Sequence, residues 1–402
     1  MRIRAAVLER TGSSLSVEEL ELAPPGPGEV LVRLHASGIC HSDQNAIDGV
    51  AETPCPAVLG HEGAGVVEGV GPGVRRVSVG DHVALSWAPS CGECAECLRD
   101  LPQLCSTAWP AMGAGMLLDG TSRLSRDGAL IHHYSFISSF AEACVVPERS
   151  CVPIPRDVPF EIAGLVGCAV TTGVGAVWRT AGVRPGDRVA VIGCGGVGLS
   201  AVLGAVAAGA GTIVAVDLSA AKLETARQLG ATDGVLWAGS AEATAAAVRE
   251  QSGGGVDYAI EATGRTEAML AAFLATRAHG AAVLIGIPRE DAVLSLPALT
   301  IPRMERRVLG SIYGSSRPER DFGLTLELYR RGRLPLDRLI SHRLGLEQVQ
   351  HGLDLLVSGE AIRAVIVLGA DRVEAADPTE WQPMATDQRG GGLGLDPFDH
   401  GD

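Results

Sequence analysis

The stretch RVAVIGCGGVGLSAVLGAVAAGAGTIVAVD, residues 188–217, constrains the fold of this 402-residue chain more than any other. Between Val189 and Val216 it carries no charge, and its length would suit a bilayer. It also holds seven glycines, with β-branched runs at both ends. A buried strand, a glycine-rich turn, a helix of small residues and a second buried strand satisfy that pattern; one spanning helix does not. The alternation continues downstream through AKLETARQLGA, DYAIEATG, EAMLAAFLATRAHG and AAVLIGI. An α/β unit with a doubly wound parallel sheet is therefore expected over 159–304.

Gly193, Gly195, Gly196 and Gly198 form GCGGVG between the expected strand and helix. Such a turn brings backbone N–H groups and a helix N-terminus up to a pyrophosphate. Asp217 ends the next strand, nineteen positions past Gly198. Its carboxylate can accept from ribose hydroxyls and repels a 2′-phosphate, which favours NAD over NADP. Lys222, just beyond, is a further candidate for cofactor binding. The motif alone does not separate a nicotinamide from a flavin cofactor, and a turn made only for packing is the plainer alternative.

Residues 1–158 have a different texture. Short β-like runs broken by Gly and Pro (AAVLE, EVLVRLHASG, GAGVVEGVG, DHVALSW, AEACVVP) predict a β-rich, barrel-like domain. Residues 305–369 are mixed in pattern and are expected to return to it. Residues 370–402 hold eight acidic and two basic residues without a core pattern, which predicts a disordered acidic tail. The net charge of −14 argues against nucleic acid or an anionic membrane as partner. No apolar leader opens the sequence, so a reducing cytoplasm is the expected compartment.

In that compartment CGECAECLRDLPQLC points to metal rather than disulfides. Cys91, Cys94, Cys97 and Cys105 stand in a C-x2-C-x2-C-x7-C array, within a lobe over about 88–108. Four thiolates suit a closed, structural zinc site, with an iron–sulfur cluster as the rival. Cys55, Cys144, Cys151 and Cys194 fit no ligand pattern and read as packing residues.

Cys40 in CHSDQN, His61 and Glu62 in GHEGAGVV, and Cys168 in VGCAVTTG precede the glycine turn in that order. Taken singly, each is more simply a buried thiol or a turn residue. Together with the four-cysteine lobe, GCGGVG, Asp217 and SGEAIR, they make the chain resemble the zinc-dependent medium-chain alcohol dehydrogenases, from about residue 3 to 368. LDGTSR, the paired His132 and His133, SSFAE and VGCAVTTG resemble the glutathione-dependent formaldehyde dehydrogenase class of that family, and bacterial aryl alcohol dehydrogenases are also similar.

The resemblance implies a GroES-like catalytic domain, a Rossmann domain, NAD and two zinc ions per chain. It implies a catalytic zinc on Cys40, His61 and Cys168, with Glu62 able to approach it from behind. Asp43 would hydrogen-bond His61, and Ser42 would contact the substrate oxygen and pass its proton outward. His41 and Arg363 would lie near the cofactor pyrophosphate, and Thr172 and Val197 would position the nicotinamide. A homodimer or homotetramer is expected, with VLSLPALTI at 293–301 as a pairing edge strand.

Departures from the family pattern bear on the substrate. Where the glutathione-dependent class carries an arginine for the substrate carboxylate, this chain has Trp109; of an acidic pair, Glu52 remains and Val50 replaces its partner. Trp87, Trp109 and Phe140 are expected to line an apolar pocket for an aromatic or medium-length primary alcohol or aldehyde. Many relatives have a relay histidine at the position of Asn45, whose amide does not titrate near neutral pH. Competing readings are a reductase of a larger carbonyl, a dehydrogenase of the formaldehyde–thiol adduct, and a nucleotide-binding protein without zinc chemistry.

Overall fold

The computed structural model describes residues 1–369. The acidic tail expected at 370–402 lies outside the described residues. The segment that opened the sequence argument forms a strand Arg188–Ile192, a helix Gly196–Ala207 and a strand Thr212–Asp217. The two strands are parallel neighbours, Arg188 opposite Thr212 and Ile192 opposite Val216. They lie within a six-stranded sheet whose order is Asp233–Leu236, Thr212–Asp217, Arg188–Ile192, Val256–Glu261, Thr276–Leu284, Arg307–Gly310. All five pairings are parallel. Helices on both faces bury these strands, which is why they read as unbroken apolar runs. The chain reverses its direction of travel across the sheet next to Arg188–Ile192, and that switch point opens the crevice where such sheets bind ligands.

The remaining strands are antiparallel for the most part. Five, including Arg2–Leu8 and Ser16–Leu22, close a small barrel, and seven others form a second sheet around Glu29–Gly38. Glu29–Gly38 pairs along its length with Glu62–Val70. The late strands Ile340–Leu344 and Arg363–Val367 join this sheet, with Val365 opposite Gly38. Arg363 is thereby carried back to the first part of the chain.

Between the β-rich part and the parallel sheet runs a helical stretch, 160–181. By length and apolarity it could cross a membrane, but 83% of its most apolar window is buried inside the fold. It is a core element, with π-type turns at Val166–Val170 and Ala176–Ala181. Such turns widen a helix locally and are frequent at functional sites. Here the first one holds Cys168.

The edge strand expected at 293–301 is not formed. Pro297 and Pro302 cannot donate to a ladder, Thr300–Met304 is a short helix, and the edge of the sheet is Arg307–Gly310.

Candidate active site

Three separate elements converge on one buried cluster. Cys40 precedes the helix His41–Ile47, His61 and Glu62 lie at the start of Glu62–Val70, and Cys168 sits in the first π-type turn. Single ligand atoms of Cys40, His61, Glu62 and Cys168 all lie within 4.8 Å of one another. All four residues are buried.

Asp43 organises this cluster from behind. It is fully buried and accepts three hydrogen bonds: from Cys40 N–H at 2.9 Å, from Gly60 N–H at 3.2 Å and from His61 Nδ1 at 3.0 Å. With Nδ1 committed to Asp43, the His61 ring turns Nε2 toward the cluster, where it donates to the Cys40 sulfur and could give up that proton to a cation. Burial would lower the His61 pKa, but the Asp43 charge and hydrogen bond outweigh it and hold the ring well above its ordinary value. A hydrogen bond from Cys168, and then one from His61, hold the Cys40 thiol well below its usual range; sharing that proton raises Cys168. Packed thiols that already favour a thiolate are prepared for a cation.

Glu62 is divided between two tasks. Its Oε2 pairs with Arg363, while Oε1 is buried without a hydrogen-bond partner. Burial raises its pKa to about 7, against the pull of Arg363. The Arg363 side chain also lies on the glycine turn, since a Cβ on Gly196 would come within 2.2 Å of its Cδ. One buried guanidinium therefore spans from the cluster to the start of helix Gly196–Ala207. The helix carrying Cys168 touches the same place. A side chain on Gly173 would meet the Val197 carbonyl at 2.2 Å, so Thr172 and Val197 lie on neighbouring elements.

Asp217 faces the glycine turn. It accepts from Cys194 N–H at 2.7 Å and from Ser219 N–H at 2.9 Å, and it remains half-buried. Lys222 is half-buried, with Nζ beside Gly359 on the loop that leads to Arg363. His41 is exposed, and Ser42 Oγ stands 3.7 Å from Cys40 Sγ.

The second cluster joins Cys91, Cys94, Cys97 and Cys105, their sulfurs within 4.8 Å of one another. Cys91–Cys97 and Cys94–Cys105 are 3.9 Å apart, far beyond a disulfide. A tetrahedron of zinc–sulfur bonds has edges of about 3.8 Å, so one ion fits. A four-iron cluster would hold each thiolate on a different iron and push them farther apart. Backbone N–H groups of Cys94 and Cys91 already donate to the Cys91 and Cys105 sulfurs, at 3.2 and 3.3 Å.

Trp87, Trp109 and Phe140, expected to line one apolar pocket, do not share one wall. Trp87 meets Trp109 edge-on at 6.3 Å and lies 4.6 Å from Tyr313. A small cavity beside them borders the four-cysteine lobe, lined by Pro102, Gln103, Cys105, Ala108, Met112 and Phe136, and Phe140 does not line it. Phe140 is completely buried and packs in the core of the second sheet, against Gly60. Trp109 is 40% exposed, so it is a rim residue rather than core.

Two site residues escaped the sequence argument. Tyr134 packs edge-on to His61 at 5.7 Å and donates to the Ser42 carbonyl at 2.9 Å. Tyr313 donates to the carbonyl of Gly167, the residue before Cys168, and its oxygen lies 3.2 Å from Ser86 Oγ, whose hydroxyl can donate to it. Position after the paired histidines could have flagged Tyr134; nothing local marks Tyr313.

Comparison with known proteins agrees with this geometry. Residues 26–156 match the alcohol dehydrogenase GroES-like domain, and 196–329 match the zinc-binding dehydrogenase family. An S-(hydroxymethyl)glutathione dehydrogenase of Synechocystis is 39% identical over 91% of this chain and its own full length. The chain belongs to the zinc-dependent medium-chain alcohol dehydrogenases. This dehydrogenase is therefore an oxidoreductase with zinc and a nicotinamide dinucleotide as its cofactors. Among solved structures, an alcohol dehydrogenase zinc-binding domain protein from Burkholderia ambifaria superposes with a TM-score of 0.88 at 35% identity, over 92% of this chain and all of that one. Benzyl alcohol dehydrogenase from Acinetobacter calcoaceticus gives a TM-score of 0.87 at 32% identity, with the same coverage.

Proposed function

We propose that this dehydrogenase uses NAD to interconvert primary alcohols and aldehydes, with aromatic or medium-length substrates preferred. The observation that carries the reading is the buried convergence of Cys40, His61 and Cys168 beside the helix that begins in GCGGVG. Two thiolates and one imidazole are the donor set of a catalytic zinc with one position left open. Bound there, zinc supplies a Lewis acid for a substrate oxygen.

The chain's own residues do the rest. Asp43 keeps the proton on His61 Nδ1 and so fixes the ligand tautomer. Ser42, beside Cys40, receives the alcohol proton, and Tyr134 holds the Ser42 backbone in place. Asn45 cannot carry the proton further, so the exposed His41 is its exit on this chain, and a bound cofactor's ribose hydroxyls could supply another. The N–H groups of the GCGGVG turn, with Arg363 and His41, bind the pyrophosphate. Thr172 and Val197 seat the nicotinamide, and Asp217, aided by Lys222, reads the ribose. Glu62 steadies Arg363 and keeps one oxygen toward the ligand cluster. Cys91, Cys94, Cys97 and Cys105 hold the structural zinc.

Two features support the substrate class. Trp109 and its neighbours present an apolar rim where an arginine would grip a carboxylate, and benzyl alcohol dehydrogenase is a structural neighbour. The formaldehyde-adduct reading is favoured by the Synechocystis relative's name and opposed by that missing cation. The ten free cysteines support a reducing, cytoplasmic setting. Exposed Val293, Leu299, Ile301 and Val308 support a homo-oligomer.

The test combines metal analysis with reduction of NAD or NADP followed spectrophotometrically. Two zincs per chain and benzyl alcohol oxidation with NAD are expected. Fewer than two zincs, or a preference for NADP, would overturn the assignment.

A further inference from the structure

Tyr313, Gly314 and Ser315 are consecutive left-handed residues, with φ of 53°, 64° and 50°. For a side chain as bulky as tyrosine that backbone is rare and costs free energy, so it persists only where its surroundings determine it. Here the surroundings are the helical stretch 160–181, along which the loop 311–316 lies.

The loop reaches both π-type turns of that stretch. At the first, Val166–Val170, the Tyr313 hydroxyl donates to the Gly167 carbonyl. At the second, Ala176–Ala181, Thr180 Oγ1 shares hydrogen bonds with Ser311 Oγ at 2.7 Å and Ser315 Oγ at 2.9 Å. Between these ties two glycines let the backbones touch. A Cβ on Gly314 would stand 2.5 Å from the Thr171 carbonyl and 2.8 Å from that of Thr172, and one on Gly175 would stand 2.5 Å from the Gly314 carbonyl.

The same loop belongs to the cofactor side of the fold. It leaves the carboxyl end of strand Arg307–Gly310, and Ser311 N–H donates at 3.0 Å to the carbonyl of Leu284, which ends the neighbouring strand. Sheets of this kind bind their ligands beyond the carboxyl ends of the strands. One short loop therefore touches the ends of the parallel sheet, the backbone of Thr172 and the turn that carries Cys168.

Tyr313 is 1% exposed, and its ring packs on Trp87 at 4.6 Å. Phenylalanine would fill the same space. What tyrosine adds is a buried hydroxyl whose proton goes to the carbonyl beside Cys168. A π-type turn departs from the regular helical ladder, so a donor from outside the helix helps to fix where its residues point.

We propose that Tyr313 is a positioning residue for Cys168: its hydroxyl holds the first π-type turn so that the Cys168 sulfur stays in register with Cys40 and His61, and it ties that register to the loop on the cofactor side.

This inference rests on the reading of Cys40, His61 and Cys168 as holders of the catalytic zinc, and one titration separates the two. Zinc-loaded wild type, Tyr313→Phe, Ser86→Ala and the double variant are titrated with a chromophoric chelator. In Tyr313→Phe the catalytic zinc should be held about tenfold more weakly, the low end of the range for groups that support a ligand, while the lobe zinc competes as in the wild type. Ser86→Ala keeps the bond to Gly167 and should match the wild type. The double variant should behave as Tyr313→Phe does; because it also removes the hydroxyl left facing the phenyl ring, it is titrated in its place if Tyr313→Phe does not fold. Unchanged competition in Tyr313→Phe, a weakening shared equally by the lobe zinc, or an equal loss in Ser86→Ala would overturn the proposal and leave the zinc reading standing. A wild-type chain that binds fewer than two zincs would overturn that reading and this proposal with it.

Discussion

Asp43→Asn changes one atom in a place where every acceptor is in use. The carboxylate takes Cys40 N–H on one oxygen and both Gly60 N–H and His61 Nδ1 on the other. An amide keeps one acceptor and turns the other into a donor. If its oxygen stays with Gly60 and His61, the Cys40 N–H faces an NH2 group and is left buried and unpaired. That costs about 1–3 kcal/mol. If the amide flips, the NH2 faces His61 Nδ1, which must then accept, and the ring proton moves to Nε2. Either outcome disturbs one of the proposed zinc ligands. Lost support for Cys40 or for the imidazole should weaken the metal by about 10–100-fold. Competition with a chromophoric chelator measures this, because the zinc in the four-cysteine lobe should still resist at wild-type affinity. An Asp43→Asn enzyme whose two zincs both compete like the wild type would refute the reasoning.

Three further outcomes follow from separate parts of the fold. Asp217→Gly removes the charge at the end of strand Thr212–Asp217, and the NAD-to-NADP ratio of kcat/KM should fall at least tenfold; an unchanged ratio would argue against a ribose role. Cys97→Ser should release the lobe zinc and lower the melting temperature while the catalytic zinc stays bound; metal analysis showing two zincs would contradict the ligand set. His133 is buried, and burial followed by the Arg123 charge lowers its pKa to about 3. A depressed histidine favours the fold when neutral, so its contribution is complete above the unfolded pKa near 6.5 and declines as pH falls toward 3. At pH 5 the loss is about 2 kcal/mol. Denaturant unfolding of His133→Gln should show a shallower fall in stability than the wild type between pH 7 and 5, and parallel curves would disprove this.

The parallel sheet was legible because its signal is local. Each buried strand is a short apolar run between turns, and GCGGVG sits where strand gives way to helix. The residues of the two candidate metal clusters stood out through their motifs, but their meeting depends on pairs far apart in sequence. Arg363 and Glu62 are 301 positions apart, and no periodicity announces their contact. Phe140 was misplaced for a backbone reason. Within YSFISSF, Ser135, Phe136 and Ser138 have φ of 50°, 61° and 52°, a left-handed conformation that breaks any simple alternation of sides. Phe136 therefore reaches the cavity while Phe140 turns into the core. The stretch 293–301 had the apolar content of a strand, yet Pro297 within it and Pro302 just after it removed donors that a ladder needs.

The most direct test of the central claim is a ratio: kcat/KM for benzyl alcohol over that for S-(hydroxymethyl)glutathione, measured with NAD on one zinc-loaded preparation. With Trp109 in place of a cationic anchor, the ratio should lie well above one. A ratio below one, with the glutathione adduct preferred, would contradict it.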